Sequence, residues 1–244
     1  MKRYALIGRR LDHSWSQRWF EGLFERQGLH DCTYELKEME QLNEVRQWVE
    51  NEAIAGFNVT VPYKQDIIPH LDALDPIAEA IGAVNCVSVE QGHLVGYNTD
   101  APAFLDTLKD ARFEFLHCLI LGTGGAAQAV AFAVQRMGVE PLFVSRNPQG
   151  NRQIGYNSLL SLHLHPQTLI VNATPVGMYP SVEDKPLELS TLNGKAGMVY
   201  DLIYNPSPTA LLKEAERLGL RTHDGLEMLK KQAEMSWKIW NRNT

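Results

Sequence analysis

The chain has 244 residues, which at about 150 residues per domain allows one large or two small domains. Hydrophobic residues at 44% and charged residues at 21% are ordinary for a globular protein, and Gly 18 with Pro 12, an average share, exclude collagen-like and low-complexity chains. A net charge of −6 argues against a general binder of nucleic acid or anionic membranes, and leaves room for a small anionic ligand held by local groups.

Residues 4–8 are apolar and end in Gly8, the pattern of a buried strand. Residues 16–27 place Trp19, Phe20, Leu23 and Phe24 at helical spacing and stop at Gly28. Residues 32–36 suit a second strand. Residues 39–52 read as a polar helix with Leu42, Val45, Trp48 and Val49 on one stripe. Residues 55–61 suit a third strand, stopped by Pro62. This alternation argues for a parallel or mixed sheet with covering helices. Residues 76–81 form a short predicted helix opened by Pro76. Residues 84–89 and 93–97 alternate around Gln91 and Gly92 as a hairpin. A helix over 99–109 is where the chain crosses into a second domain.

Residues 117–121 read as a buried strand running straight into glycines. An apolar helix over 126–137 follows, ended by Gly138, then a strand over 142–145. Strands are predicted over 168–172 and 198–202, and a helix over 209–218 ending at Gly219. The last helix, 225–240, carries Leu226, Leu229, Ala233 and Trp237 on one face.

The strand–glycine–helix segment fits G-x-G-x-x-A through Gly122, Gly124 and Ala127. Gly122 permits a tight turn, Gly124 lets backbone approach a pyrophosphate, and Ala127 keeps helix and strand close. Phosphates would rest on the N–H groups at the helix N-terminus. The next strand ends Val144-Ser145-Arg146-Asn147, with no carboxylate for a ribose hydroxyl. Arg146 can pair with a 2′-phosphate, so NADP(H) is favoured over NAD(H).

Elsewhere, Asn58, Thr60 and Lys64 follow one strand and Asn98, Thr99 and Asp100 follow another. Ligands in open α/β sheets bind at such ends. Lys64 and Asp100 are candidates for an acid/base pair. In His13-Ser14-Trp15-Ser16 two hydroxyls could bind a carboxylate; equally, Ser16 could cap the helix. Gln232 lies on the last helix. His13, His117, His163 and His165 have no zinc-type context, so no metal is assigned. Cys32, Cys86 and Cys118 are odd in number and far apart, as expected of reduced thiols. The opening MKRYALIGRR holds too short an apolar run for a secretion signal, and no run is long enough to span a bilayer. The expected compartment is the cytoplasm.

Together these motifs resemble the shikimate dehydrogenases along nearly the whole chain. Ser14 and Ser16 match that family's paired serines, and residues 57–64 its N-V-T-x-P-x-K segment. Residues 81–85 match I-G-A-V-N, and Asn98-Thr99-Asp100 matches N-T-D. Residues 122–127 match G-x-G-G-A-A, and residues 172–178 the N-A-T-x-x-G-M loop. Residues 201–206 resemble D-x-x-Y-x-P, and residues 225–233 resemble G-x-x-M-L-x-x-Q-A.

The resemblance implies an α/β substrate domain, residues 1–100 and 225–244, and a Rossmann-like NADP-binding domain, residues 101–224. It implies Lys64 as the catalytic lysine with Asp100 as its partner. Ser14, Ser16, Asn58, Thr60, Asn85, Tyr204 and Gln232 would then bind substrate. Gly122, Thr123, Gly124, Gly125, Ala126, Ser145, Arg146, Thr174, Ile203, Gly225 and Met228 would bind NADP(H). The implied reaction is reduction of 3-dehydroshikimate by NADPH, in a monomer or homodimer whose partner is this small molecule.

The chain departs from the family pattern in places. Gln17 replaces a usual Pro, Trp19 and Phe20 occupy the stretch of a usual His-Asn, Cys86 replaces Thr, and Ala103 replaces Gly. Ser145 and Asn147 replace the common neighbours of Arg146. The stretch 147–169 is short, as if a helix and strand were trimmed. Alternatives are a quinate/shikimate dehydrogenase of relaxed choice, a non-catalytic nucleotide-binding protein, and a protein-interaction module. Two serines in the first loop favour shikimate, and the presence of both Lys64 and Asp100 favours an enzyme.

Overall fold

Strands and amphipathic helices alternate to build two six-stranded sheets in this computed structural model, which describes residues 1–11 and 14–242. The chain divides into two compact units, Met1–Asp100 with Lys230–Thr244, and Ala101–Leu229.

The first unit contains β1 (Lys2–Gly8), α1 (Trp15–Gln27), β2 (Cys32–Glu38), α2 (Val45–Asn51), β3 (Ile54–Val59), β4 (Ala73–Leu74), α3 (Pro76–Ile81), β5 (Cys86–Glu90) and β6 (His93–Tyr97). Its sheet runs β2-β1-β3-β5-β6-β4. β1 pairs in parallel with β2 and β3, while β3–β5 and β5–β6 are antiparallel, so the sheet is mixed. α1 buries Phe20, Leu23 and Phe24 and stops where Gly28 turns left-handed at φ 65°. The β5–β6 hairpin turns on Gln91 and Gly92, at φ 53° and 84°, the positive pair whose twist matches the flanking strands.

The predicted helix over 39–52 is cut to Val45–Asn51. Met39 and Leu42 are buried, but in the turn ahead of it, and the Met39 N–H bonds to the Gly8 carbonyl at 2.9 Å. Their spacing reports burial, which a packed turn satisfies as well as a helix does. β3 likewise ends at Val59, and Val61 is exposed.

The second unit begins within α4 (Asp100–Ala111) and continues through β7 (His117–Leu121), α5 (Gly125–Arg136), β8 (Pro141–Ser145), β9 (Gln153–Gly155), α6 (Tyr156–Leu159), β10 (His163–Leu164), β11 (Thr168–Asn172), β12 (Asn193–Gly194), β13 (Met198–Asp201), α7 (Ala210–Arg217) and β14 (Arg221–His223). The sheet runs β14-β13-β11-β7-β8-β9, parallel throughout. Read from β9, this is the 3-2-1-4-5-6 order of a Rossmann sheet. β10 and β12 form a separate two-residue pair. The stretch expected to be trimmed keeps its parts in miniature: β9 has three residues and α6 four, and β9 still closes the sheet edge.

α5 buries Ala127, Ala129, Val130, Ala131, Ala133 and Val134. Small side chains on that face let the helix lie close to its sheet. The last helix, α8 (Leu226–Trp240), starts in the second unit and ends in the first. There Trp240 stacks on Tyr4 at 4.8 Å and donates from Nε1 to the Val87 carbonyl at 2.9 Å. A Cβ on Gly56 would strike the Trp240 ring, so β3 needs glycine at that crossing. Among the described residues no helix is long and apolar enough to cross a membrane.

Candidate functional site

In the first unit, sheet register gathers residues far apart in sequence. Asn58 lies opposite Cys86 across β3–β5, and Cys86 opposite Tyr97 across β5–β6. The end of β3, the start of β5 and the end of β6 therefore share one edge. Asn58, Lys64, Asn85, Thr99 and Asp100 are all delivered there.

The Lys64 Nζ donates to Asp100 Oδ2 at 2.7 Å, with the side chains 15% and 6% exposed. The other carboxylate oxygen accepts from Asn85 Nδ2 at 2.9 Å. That same nitrogen faces Thr99 Oγ1 at 2.8 Å and Gln232 Oε1 at 3.2 Å, and Asn85 Oδ1 accepts from the Thr99 N–H at 2.6 Å. Asn58 donates to the Asn85 carbonyl at 3.1 Å and to Ser236 Oγ at 2.8 Å, and accepts from the Tyr34 hydroxyl at 2.9 Å. Both amide protons of Asn58 are thus committed inside the unit. Burial pushes the Tyr34 phenol well above its ordinary range, and a hydrogen bond with Ser16 offsets part of that rise.

Tyr34 and Ser236 belong to this network without having been singled out in the sequence, and Thr99, named there only as part of a polar strand end, joins it. Ser236 had a signal: it sits four residues after Gln232, on the same face of α8. Thr99 lay inside the N-T-D motif. Tyr34 had none, because only strand register brings it to Asn58.

Ser14 is the N-cap of α1, its hydroxyl accepting from the Ser16 N–H at 3.3 Å. Of the two readings of that loop, the cap falls to Ser14, while Ser16 is buried in the first turn. His13 lies outside the described residues. The Thr60 N–H bonds to the Ile7 carbonyl at 2.9 Å, and its methyl abuts Gly8. Four of the family departures, Trp19, Phe20, Cys86 and Ala103, serve the core or pack against it. Phe20 stacks on Tyr34 at 4.2 Å with Trp19 edge-on at 4.8 Å, and Cys86 and Ala103 are fully buried. Burial raises the Cys86 thiol to about 12.

In the second unit, β7, β8, β11 and β13 are parallel, so the segments after each emerge on one edge. Gly122 sits at φ 101° and donates to the Val144 carbonyl at 2.9 Å. A Cβ there would press on Thr174 Cγ2 and the Ala173 carbonyl, so the turn requires glycine. Gly124 caps α5 with backbone alone, and a Cβ on it would meet nothing within 4 Å. Gln128 Nε2 holds the loop by donating to the Thr123 carbonyl at 3.2 Å. Gly125 and Ala126 open the helix, and Ala127 is fully buried. A helix N-terminus with no side-chain cap, facing open space behind a glycine turn, fits a dinucleotide pyrophosphate.

Arg146 is exposed just beyond β8, where the Ser145 hydroxyl accepts from the Asn147 N–H at 3.2 Å. The Gly225 N–H bonds to the Ile203 carbonyl at 3.1 Å, and a Cβ on Gly225 would collide with the Leu202 carbonyl. Met228 is buried and Tyr204 half-buried. Asp201, at the end of β13, is fully buried, and desolvation raises its carboxyl to about 6 against the pull of hydrogen bonds from Thr209, Ile203 and Asn172. All three cysteines are unpaired, and among the described residues no group of three or more His, Cys, Asp or Glu could hold a metal ion.

A parallel sheet in Rossmann order with its glycine turn, together with a part-buried lysine–carboxylate pair in a separate α/β unit, defines the class of two-unit dinucleotide-dependent dehydrogenases. A family model described as the shikimate dehydrogenase substrate binding domain matches residues 6–87. A shikimate dehydrogenase (NADP(+)) of Bacillus licheniformis is 38% identical, over 97% of this chain and 90% of that protein. The crystal structure of shikimate dehydrogenase 1 from Peptoclostridium difficile superposes with a TM-score of 0.91 at 33% identity, covering 100% of this chain and 93% of that one. Shikimate 5-dehydrogenase from Thermus thermophilus, solved with NADP(H) and shikimate, gives a TM-score of 0.85 at 34% identity, covering 99% and 94%. The chain belongs to the shikimate dehydrogenase family.

Proposed function

We propose that the protein catalyses the reversible, NADPH-dependent reduction of 3-dehydroshikimate to shikimate, in the pathway to chorismate and the aromatic amino acids. The observation that carries this reading is the Lys64–Asp100 pair, 2.7 Å apart and shielded from solvent. Full-length relatives named as NADP-dependent shikimate dehydrogenases support it.

When bound, NADPH supplies the hydride that converts the substrate's 3-keto carbon to an alcohol. Negative charge then develops on the carbonyl oxygen, and the Lys64 ammonium is the group that donates a proton to it. Asp100 orients that ammonium, and Asn85 holds Asp100 by its second oxygen. The first unit is the substrate-binding unit, with Ser14 and Ser16 directed to the carboxylate and Thr60, Asn85 and Gln232 close to the ring and its hydroxyls. Asn58, its amide protons already committed, holds the Asn85 backbone in place. The second unit takes NADP(H) through Gly122, Thr123, Gly124, Gly125, Ala126, Ser145 and Arg146 at the phosphates. Thr174, Ile203, Gly225 and Met228 are assigned to the nicotinamide, and Tyr204 to the substrate. The cytoplasm, whose reducing conditions suit three unpaired cysteines, is the compartment this reading assigns, with a monomer or homodimer as the working state.

The deciding experiment follows absorbance at 340 nm with shikimate or quinate, each paired with NADP or NAD. Fastest turnover with shikimate and NADP is expected. Turnover with quinate and NAD alone overturns the reading.

A further inference from the structure

Asp201 is a buried carboxylate with three neutral donors around it. Its Oδ1 accepts from Asn172 Nδ2 at 2.9 Å and from the Ile203 N–H at 3.1 Å, and its Oδ2 accepts from the Thr209 hydroxyl at 2.7 Å. Register explains the first contact, since Asn172 and Asp201 are partners across β11–β13. The Thr209 oxygen in turn accepts from the Leu212 N–H at 3.3 Å, capping α7.

The bonds run onward from each partner. Asn172 Oδ1 accepts from the Thr174 N–H at 3.0 Å and the Thr174 hydroxyl at 2.7 Å, and that hydroxyl oxygen accepts from the Val176 N–H at 3.3 Å. Thr174 borders the glycine turn at Gly122. On the other side, the Ile203 carbonyl accepts from Gly225. One side chain therefore ties the loop after β11, the turn after β13 and the N-cap residue of α7.

A carboxylate with no cation among its hydrogen-bond partners is an expensive anchor if packing were its whole purpose. What it offers is acceptor capacity without a donor of its own. An amide of the same shape would turn an N–H₂ either toward the fixed N–H donors of Asn172 and Ile203 or toward Thr209, whose hydroxyl must then reverse and give up its bond as donor. We propose that Asp201 is a positioning residue for the nicotinamide-side loops, fixing Thr174 through Asn172 and Ile203 through its backbone N–H. This rests on the reading that those loops hold NADPH.

Asp201→Asn keeps the side-chain shape and tests the proposal. NADPH binding, titrated by its own fluorescence without turnover, is expected to weaken about tenfold, the effect of one mispaired buried group. The KM for shikimate should stay within twofold, and unfolding should remain a single transition. A folded variant with an unchanged NADPH dissociation constant overturns the proposal, as does a rise in shikimate KM equal to that for NADPH. If Asp201→Asn does not fold, Thr209→Val removes one donor instead. About threefold weaker NADPH binding is then expected, and no change overturns the proposal. The functional reading is tested separately by turnover of the unsubstituted chain, so a chain that binds NADPH without oxidising shikimate sinks that reading alone. A chain that binds no NADPH overturns both.

Discussion

Lys64 and Asp100 are 36 residues apart, yet the lysine nitrogen lies 2.7 Å from the carboxylate because β3 and β6 end on one edge of the sheet. Asn85 stands between those strands at the start of β5 and holds the second carboxylate oxygen. The carboxylate cannot swing away without breaking both bonds. Lys64→Ala should lower kcat by about 10²–10⁴-fold, the usual worth of a positioned proton donor. Steady-state kinetics with shikimate and NADP reads this directly, and full turnover at saturating substrate would show that another group donates. Asp100→Asn should lower kcat as well, with the protein still folded, because its shape is retained while the anion facing Lys64 is lost.

Arg146 follows β8 in solvent, where a cation costs little to hold and can reach a phosphate. Arg146→Ala should raise the KM for NADPH about tenfold or more while leaving the KM for NADH nearly unchanged, since the two cofactors differ only by the 2′-phosphate. Equal losses for both would place Arg146 on some other part of the nucleotide.

Phe20 is fully buried, stacked on Tyr34 and packed against Phe24 and Trp240. Phe20→Ala should destabilise the protein by about 3–5 kcal/mol, read by urea unfolding. Tyr34 also donates to Asn58, so the folded fraction should show weaker shikimate binding too. A loss under about 1 kcal/mol would mean that the neighbouring rings collapse into the space.

Much of this architecture was readable in advance, and where it was not the reason is physical. The helix over 76–81 and the strands over 117–121 and 168–172 match their predicted bounds, because a Pro at N1 or a buried run entering glycines is decided locally. The hairpin at Gln91 and Gly92 is local in the same way. The predicted helix over 39–52 lost its first turns because Met39 is claimed by the Gly8 carbonyl, a partner distant in sequence. The site divides along the same line. Lys64 and Asp100 stood out as polar residues after strands, but their contact depends on antiparallel register that no local pattern encodes. Tyr34 and Ser236 reach Asn58 from β2 and from the last helix, and Asn172 reaches Asp201 across the β11–β13 register, while the other two donors to Asp201, Ile203 and Thr209, follow it closely in sequence.

Asp201 also makes a prediction about pH. Its carboxyl is raised from 3.8 to about 6 chiefly by desolvation. The folded protein therefore holds this proton more tightly than the unfolded chain does. The resulting stabilisation is fully present below pH 3.8 and is lost as pH rises through about 6. Asp201→Asn cannot titrate, so the difference in unfolding free energy, unsubstituted protein minus variant, isolates the effect. That difference should fall by up to about 3 kcal/mol between pH 4 and 7, then level off. Urea unfolding of both proteins at four pH values across that window measures it. A difference that stays flat, or that grows with pH, would mean that the three hydrogen bonds outweigh burial and that Asp201 is ionised at little cost.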